Sequence, residues 1–152
     1  MSEISEPEKN PIDELLNTWE QDSIMNPTEP GEELLKVPRL HAKYVRIMSK
    51  HSLLSKKTEQ DLVTMRREKY DYYNGRMDQE KLEKLGLKPF KFMLKGEIKD
   101  YVDSDPNILK KQAKKIAHDE MVKLCESILK EINNRTWQLR SYMDWERFIQ
   151  GQ

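Results

Sequence analysis

An all-α protein, with long helices folded back as a hairpin and a C-terminal helix that gathers copies of the chain, is what this sequence predicts. Three observations carry the prediction. Glycine is scarce, at five of 152 residues, and neither glycine nor proline interrupts the chain from Arg39 to Asn74 or from Asn107 to Gln150. Apolar residues in those two stretches recur three and four positions apart, which places them on one side of a helix. The chain is also 36% charged, with a mean hydropathy of −0.92, and so holds little material for a large private core.

Residues 1–10 read as a disordered acidic tail. Pro11 then suits the first helical position with Asn10 as its cap, and Ile12, Leu15, Leu16 and Trp19 give the apolar stripe of a short helix over 11–26. The breaker cluster Asn26–Gly31 (NPTEPG) ends it. Pro38 opens a long basic helix over 38–75. Its seam is Leu40, Tyr44, Ile47, His51, Leu54, Thr58, Leu62 and Met65, and Gly75 closes it as a C′ residue. Residues 77–104 read as a Lys-rich connecting loop carrying Lys81, Lys84, Lys88, Lys91, Lys95 and Lys99. A short extended segment is expected near 88–94, where Phe90 and Phe92 alternate with lysines, and Glu97–Val102 suits one or two helical turns.

Asp105 and Pro106 start the C-terminal helix, 106–150, as cap and first position. Its first half offers a seam of Leu109, Ala113, Ile116, Met121, Cys125, Ile128 and Ile132. Beyond Asn133–Asn134, Trp137, Leu139, Tyr142, Trp145, Phe148 and Ile149 spread around most of the circumference. A helix so clad is buried on several sides, and neighbouring copies of the chain are the natural cover. Ile128, Ile132, Trp137, Leu139, Tyr142, Trp145, Phe148 and Ile149 are therefore the expected oligomerisation residues.

The formal net charge is zero, but it is segregated. Residues 1–35 hold one Lys against ten Asp and Glu, whereas residues 36–76 hold eleven Lys and Arg against four acids. A polyanion responds to that local field and not to the sum. The densest stretch, Leu62–Arg76 (LVTMRREKYDYYNGR), interleaves Arg66, Arg67, Lys69 and Arg76 with three tyrosines. Cations serve the backbone of a single-stranded nucleic acid, and flat rings serve its unstacked bases. Arg66, Arg67, Lys69, Tyr73 and Arg76 are the nucleic-acid-binding candidates. The competing reading is a coiled-coil scaffold whose basic helix faces acidic protein partners.

No Gly-rich phosphate loop and no Ser/His/Asp set stands in the chain, so a catalyst is not expected. His41, His51 and His118 lack ligand spacing. His118 and Cys125 share a helical face, but two ligands do not make a metal site. No cofactor is implied. No apolar run approaches a membrane span, MSEISEPEKN lacks the cationic and apolar regions of a signal peptide, and a single cysteine suits a reducing compartment. A soluble intracellular protein is expected.

The run Lys50-His51-Ser52, then Arg67–Arg76 (REKYDYYNGR), Lys95–Lys99 (KGEIK), Cys125, and the ending Glu146–Gly151 (ERFIQG) resemble the UvsY family of recombination mediators of T4-like phages. The likeness covers most of residues 12–152, and Asp71–Arg76 (D-Y-Y-x-G-R) is its most specific part. Arg67 and Lys69 match the family's basic-x-basic pair with the two cations exchanged, and Glu68 stands between them where the family has a small residue. The resemblance implies a ring-forming oligomer, hexamer or heptamer, that binds single-stranded DNA in the cytoplasm of an infected bacterial host. It implies two protein partners: a RecA-like recombinase of the UvsX type, and the phage single-strand-binding protein whose coated strands that recombinase must enter. The roles expected are recombination, repair and recombination-dependent replication.

Overall fold

The computed structural model describes residues 10–90 and 94–152. The fold is all-α, with five helices in the order α1 (Pro11–Ser23), α2 (Pro30–Tyr73), α3 (Gln79–Leu85), α4 (Ile98–Asp103) and α5 (Pro106–Ile149), and no strand among the described residues. The expected tail falls outside the described residues except for Asn10. Residues 91–93, at the centre of the expected extended segment, also lie outside them; the flanking 87–90 form neither strand nor helix.

Several boundaries behave as local chemistry dictates. The Asn10 side chain accepts from the Ile12 amide at 3.1 Å and caps α1, with Pro11 at its first position. Gly75 takes a positive φ of 71°, and the amides of Gly75 and Arg76 reach the Tyr72 and Asp71 carbonyls, a Schellman closure of α2. Asp105 accepts from the Asn107 amide at 2.9 Å and caps α5.

Others depart from the sequence reading. The first helix stops at Ser23, three residues short of 26. The long helix opens at Pro30, not Pro38, which lies inside it. Pro30 needs no amide partner at a first turn, Glu32 and Glu33 lie at the positive end of the dipole, and the Glu32 and Glu33 amides both reach the Glu29 carbonyl. An interior proline costs about 3 kcal/mol. Val37 and Leu40 packed on the core, with Glu33 buried one turn earlier, offset that cost. Within 77–104 the helical turns expected over 97–102 form as α4, held by buried Ile98 and Val102, whereas α3, held by buried Leu82, was not expected.

The chain divides into two compact units, residues 1–49 with 121–152, and residues 50–120. In the first unit α1, the start of α2 and the end of α5 enclose Leu15, Tyr44, Met121, Cys125, Ile128 and Ile132. Trp19 meets Tyr44 edge to face at 5.5 Å. A buried ion cluster sits beside them. Arg135, 2% exposed, lies 3.7 Å from Glu33, 1% exposed, and donates to the Asp22 carbonyl. Lys36 donates to Glu33 at 2.6 Å, and Asp22 accepts from Lys43 at 2.5 Å and from the Tyr44 hydroxyl at 2.9 Å. The Lys36 hydrogen bond is what chiefly holds the Glu33 carboxyl below its usual range, against the opposing effect of burial.

In the second unit Leu62, Leu82, Ile98, Val102 and Ile108 are buried. The facing turns of α2 and α5 meet through polar groups: Ser55 donates to Asp119 at 2.5 Å, Lys111 pairs with Asp61 at 3.0 Å, and the Nδ1 atoms of His51 and His118 lie 2.9 Å apart. This contact overturns the first half of the predicted α5 seam. Ile108 turns inward, while Leu109, Ala113 and Ile116 face out. Polar partners on α2 select a register that apolar spacing alone does not.

Candidate nucleic-acid interface

The segment Leu62–Arg76 is placed by the last three turns of α2 and the residues just beyond them, and the structure divides its cations and rings into two groups. The first group is spent inside the chain. Arg66 pairs with Asp103 of α4 at 2.5 Å. Lys69, its side chain mostly covered, reaches Asp105 at 3.1 Å, and the Tyr73 hydroxyl donates to the same carboxylate at 2.8 Å. Burial drives the Asp105 carboxyl up, but the hydrogen bonds from Tyr73 and Lys69 outweigh it and leave the group below the usual carboxylate range. Burial, and then that same carboxylate, push the Tyr73 hydroxyl up to about 12.

Tyr72 and Tyr73 further join Phe90 and Tyr101 in a ring cluster, with centroids 5.1 Å apart for Tyr73 and Phe90 and 5.7 Å for Tyr73 and Tyr101. The Tyr72 hydroxyl donates to the Lys88 carbonyl at 3.2 Å. Lys69 and Tyr73, expected to meet nucleic acid, are engaged within the chain by Asp105. They satisfy the buried cap of α5, because an unpaired carboxylate there would be far costlier than the loss of two surface contacts.

The second group faces outward. Arg67 and Arg76 are exposed, and among the described residues no carboxylate pairs with either. Tyr70, left out of the sequence candidates, is 45% exposed and offers the free ring of this surface. At 100° per residue it lies 60° from Arg67, so cation and ring share a flank of α2. The one-sided spread of Arg67 and Tyr70, against a stripe of Leu62, Met65 and Tyr72, is the signal in the sequence that singles out Tyr70 over Tyr73.

A further basic surface escaped the sequence reading altogether. The run Lys110–Lys115 (KKQAKK) begins α5. Lys111 and Lys115 are paired with Asp61 and Asp119, at 3.0 and 2.9 Å, whereas Lys110 and Lys114 are exposed. The signal was there as four lysines at i, i+1, i+4 and i+5, a pattern that keeps them on neighbouring faces of one helix.

The expected self-association residues also divide. Ile128, Ile132 and Leu139, expected between copies, are buried within the chain's own first unit. Here α1 and the start of α2 supply more apolar cover than the sequence stripes promised. Trp137, Trp145 and Phe148 remain 65%, 58% and 75% exposed, with Tyr142 and Ile149 also exposed, and Trp145 stacks on Phe148 at 6.0 Å. Isolated large apolar side chains on a surface are ordinary, but here five fall within residues 137–149 of one helix.

Among the described residues no group of three or more His, Cys, Asp or Glu could hold a metal ion, and no helix is long and apolar enough to cross a membrane. Cys125 lies in the apolar core, where burial raises its thiol.

The family described as the recombination, repair and ssDNA binding protein UvsY matches residues 18–152. No curated protein matches the chain. Two crystal structures of the bacteriophage T4 recombination mediator protein UvsY, in lattice types II and I, share its fold. Each has a TM-score of 0.76, at 19% and 20% identity, covering 90% and 89% of this chain and 96% and 98% of those.

Proposed function

Because the chain belongs to the UvsY family of recombination, repair and single-stranded-DNA-binding proteins, we propose that it is a mediator that loads a RecA-like recombinase of the UvsX type onto strands coated by the phage single-strand-binding protein. The work is binding and not bond chemistry. Arg67, Tyr70 and Arg76 hold the strand, Arg66 borders them in its pair with Asp103, and Lys69 and Tyr73 keep the segment in place from behind. The observation that carries this reading is the pair of unneutralised arginines flanking an exposed tyrosine ring, on the segment that most resembles the family.

The aromatic surface of α5 gathers copies of the chain into a ring. Linking weak sites raises avidity by orders of magnitude without tightening any one of them. A mediator gains from that arrangement, since it must hold the strand in a geometry that favours one partner protein over another. The host cytoplasm is where these partners meet.

The test is a two-step one. Fluorescence titration with a single-stranded oligonucleotide over a salt series should give a log–log slope of about −0.7 per phosphate neutralised. The protein should then relieve the lag of the recombinase on strands precoated with the single-strand-binding protein. Tight, salt-dependent DNA binding without that relief would leave a DNA-binding protein that is no mediator. Absence of binding at low salt would favour the scaffold reading, in which the basic surface meets acidic proteins.

A further inference from the structure

Lys110 and Lys114 rim a cavity of about 450 Å³ in the second unit, a volume within the usual range for small-ligand sites. Its apolar lining comes from three residues: Met65 of α2, Leu85 at the end of α3, and Leu87 just beyond it. Gly86 makes that last contribution feasible. Its φ of 64° lets the chain reverse, and the Leu87 amide bonds back to the Leu82 carbonyl at 2.9 Å, setting Leu87 beside Leu85. The carboxylate on the wall, Glu68, is partly neutralised by Lys81 at 3.3 Å, and Lys111 is held by Asp61. Lys110 and Lys114 form no ion pair among the described residues.

We propose that this cavity takes one unpaired nucleotide of a bound single strand, with its base on the Met65–Leu85–Leu87 floor and its two flanking phosphates on Lys110 and Lys114. The inference rests on the strand-binding reading above and adds a second anchoring site to it. Three features suit the occupant. The floor is apolar, as the π-face of a base is, and the open side leaves the base edges hydrated. The two free ammonium groups stand one helical turn apart, about 6 Å at 1.5 Å rise per residue, which suits the phosphates on either side of an extended nucleotide. A base stacked and paired in a duplex cannot enter such a hollow without leaving its stack.

This site is distinct from the Arg67 flank. At 100° per residue Arg67 lies about 160° from Met65 around α2, so the two surfaces sit on opposite sides of that helix.

The full-length protein and a Lys110→Ala/Lys114→Ala variant, matched by circular dichroism, are titrated with a fluorescent oligothymidylate over a salt series. Affinity is expected to fall roughly ten-fold at low salt, and the log–log slope to become shallower by about 1.4, two phosphates' worth. A second readout locates the base. Cys125 is buried, so a Leu85→Cys variant presents an accessible thiol that can capture an oligonucleotide carrying a base-tethered mixed disulfide by thiol–disulfide exchange, releasing the leaving thiol. Its yield is expected to exceed severalfold that of a Leu35→Cys variant, made at an exposed leucine of the other unit. If wild type binds the strand but the lysine variant keeps its affinity and slope, or Leu85→Cys captures no more than Leu35→Cys, the cavity is not a nucleotide site. If wild type binds no oligonucleotide at all, the strand-binding reading itself falls.

Discussion

Two aromatic stretches of this chain, Tyr70–Tyr73 at the end of α2 and Trp137–Ile149 at the end of α5, look alike in sequence and differ in what covers them. The tyrosines of α2 carry hydroxyls, and the chain itself supplies their partners: Asp105 for Tyr73, the Lys88 carbonyl for Tyr72, and Phe90 and Tyr101 for the rings. Only Tyr70 is left over. Of the tryptophans and phenylalanine of α5, Trp145 and Phe148 stack only on each other among the described residues, and Trp137, Trp145 and Phe148 stay more than half exposed. A ring with a polar handle can be tied down within a small polar unit, whereas bare apolar surface needs apolar cover that this chain does not possess. The first stretch is therefore mostly architecture with a narrow outward face, and the second is left exposed, the surface we propose gathers other copies.

The largest effect should come from the second stretch. Trp145→Ala/Phe148→Ala is expected to convert the assembly to smaller species in sedimentation velocity, with single-stranded DNA affinity falling on the order of 10²-fold as avidity is lost. An unaltered sedimentation coefficient would break the contrast, because the exposed rings would then be idle.

The next effect probes the first stretch as architecture. Asp105→Ala removes the α5 cap and strands Lys69 and Tyr73, and should cost roughly 3–5 kcal/mol in denaturant unfolding, as breaking a buried pair does. Lys69→Ala should cost roughly 1–3 kcal/mol, the desolvation penalty of a buried acceptor that loses a partner. A Lys69→Ala protein that melts like wild type but loses DNA would return Lys69 to the interface.

A smaller effect isolates the outward face. Arg67→Ala should leave the melting temperature within error of wild type and make the salt slope shallower by about 0.7, one phosphate fewer. Tyr70→Ala should weaken binding with the slope unchanged, since a ring contributes stacking and no charge.

The smallest is a pH effect on the polar helix contact of the second unit. Burial holds His51 below the ordinary histidine value of 6.5, helped by His118 and Lys50; burial and Lys114 do the same for His118, with Asp119 opposing. Folding therefore disfavours the protonated rings. The contact contributes in full above about pH 6.5, and stability is lost as the pH falls from there through the lower folded values. Thermal melts from pH 7.5 to 5 should show this decline. It should flatten in a His51→Asn/His118→Asn variant, and an equal decline there would assign it to other groups.

Local chemistry was largely legible. The caps at Asn10 and Asp105, the first-position prolines Pro11 and Pro106, the closing Gly75 and the inward stripe of α2 from Leu40 to Met65 all follow from interactions within a few residues, which a sequence displays directly. The helical class and the charge segregation of the chain follow likewise. Tertiary structure decided the rest. Pro38 sits inside a helix because packing outweighs one lost hydrogen bond, and Ile108 displaces Leu109 because α2 offers α5 polar partners. Lys69 and Tyr73 turn inward because Asp105, more than thirty residues away in sequence, must be neutralised when it is buried. Which cations are free, and hence which can meet a phosphate, depends on where every carboxylate lands, and that is a property of the folded chain alone.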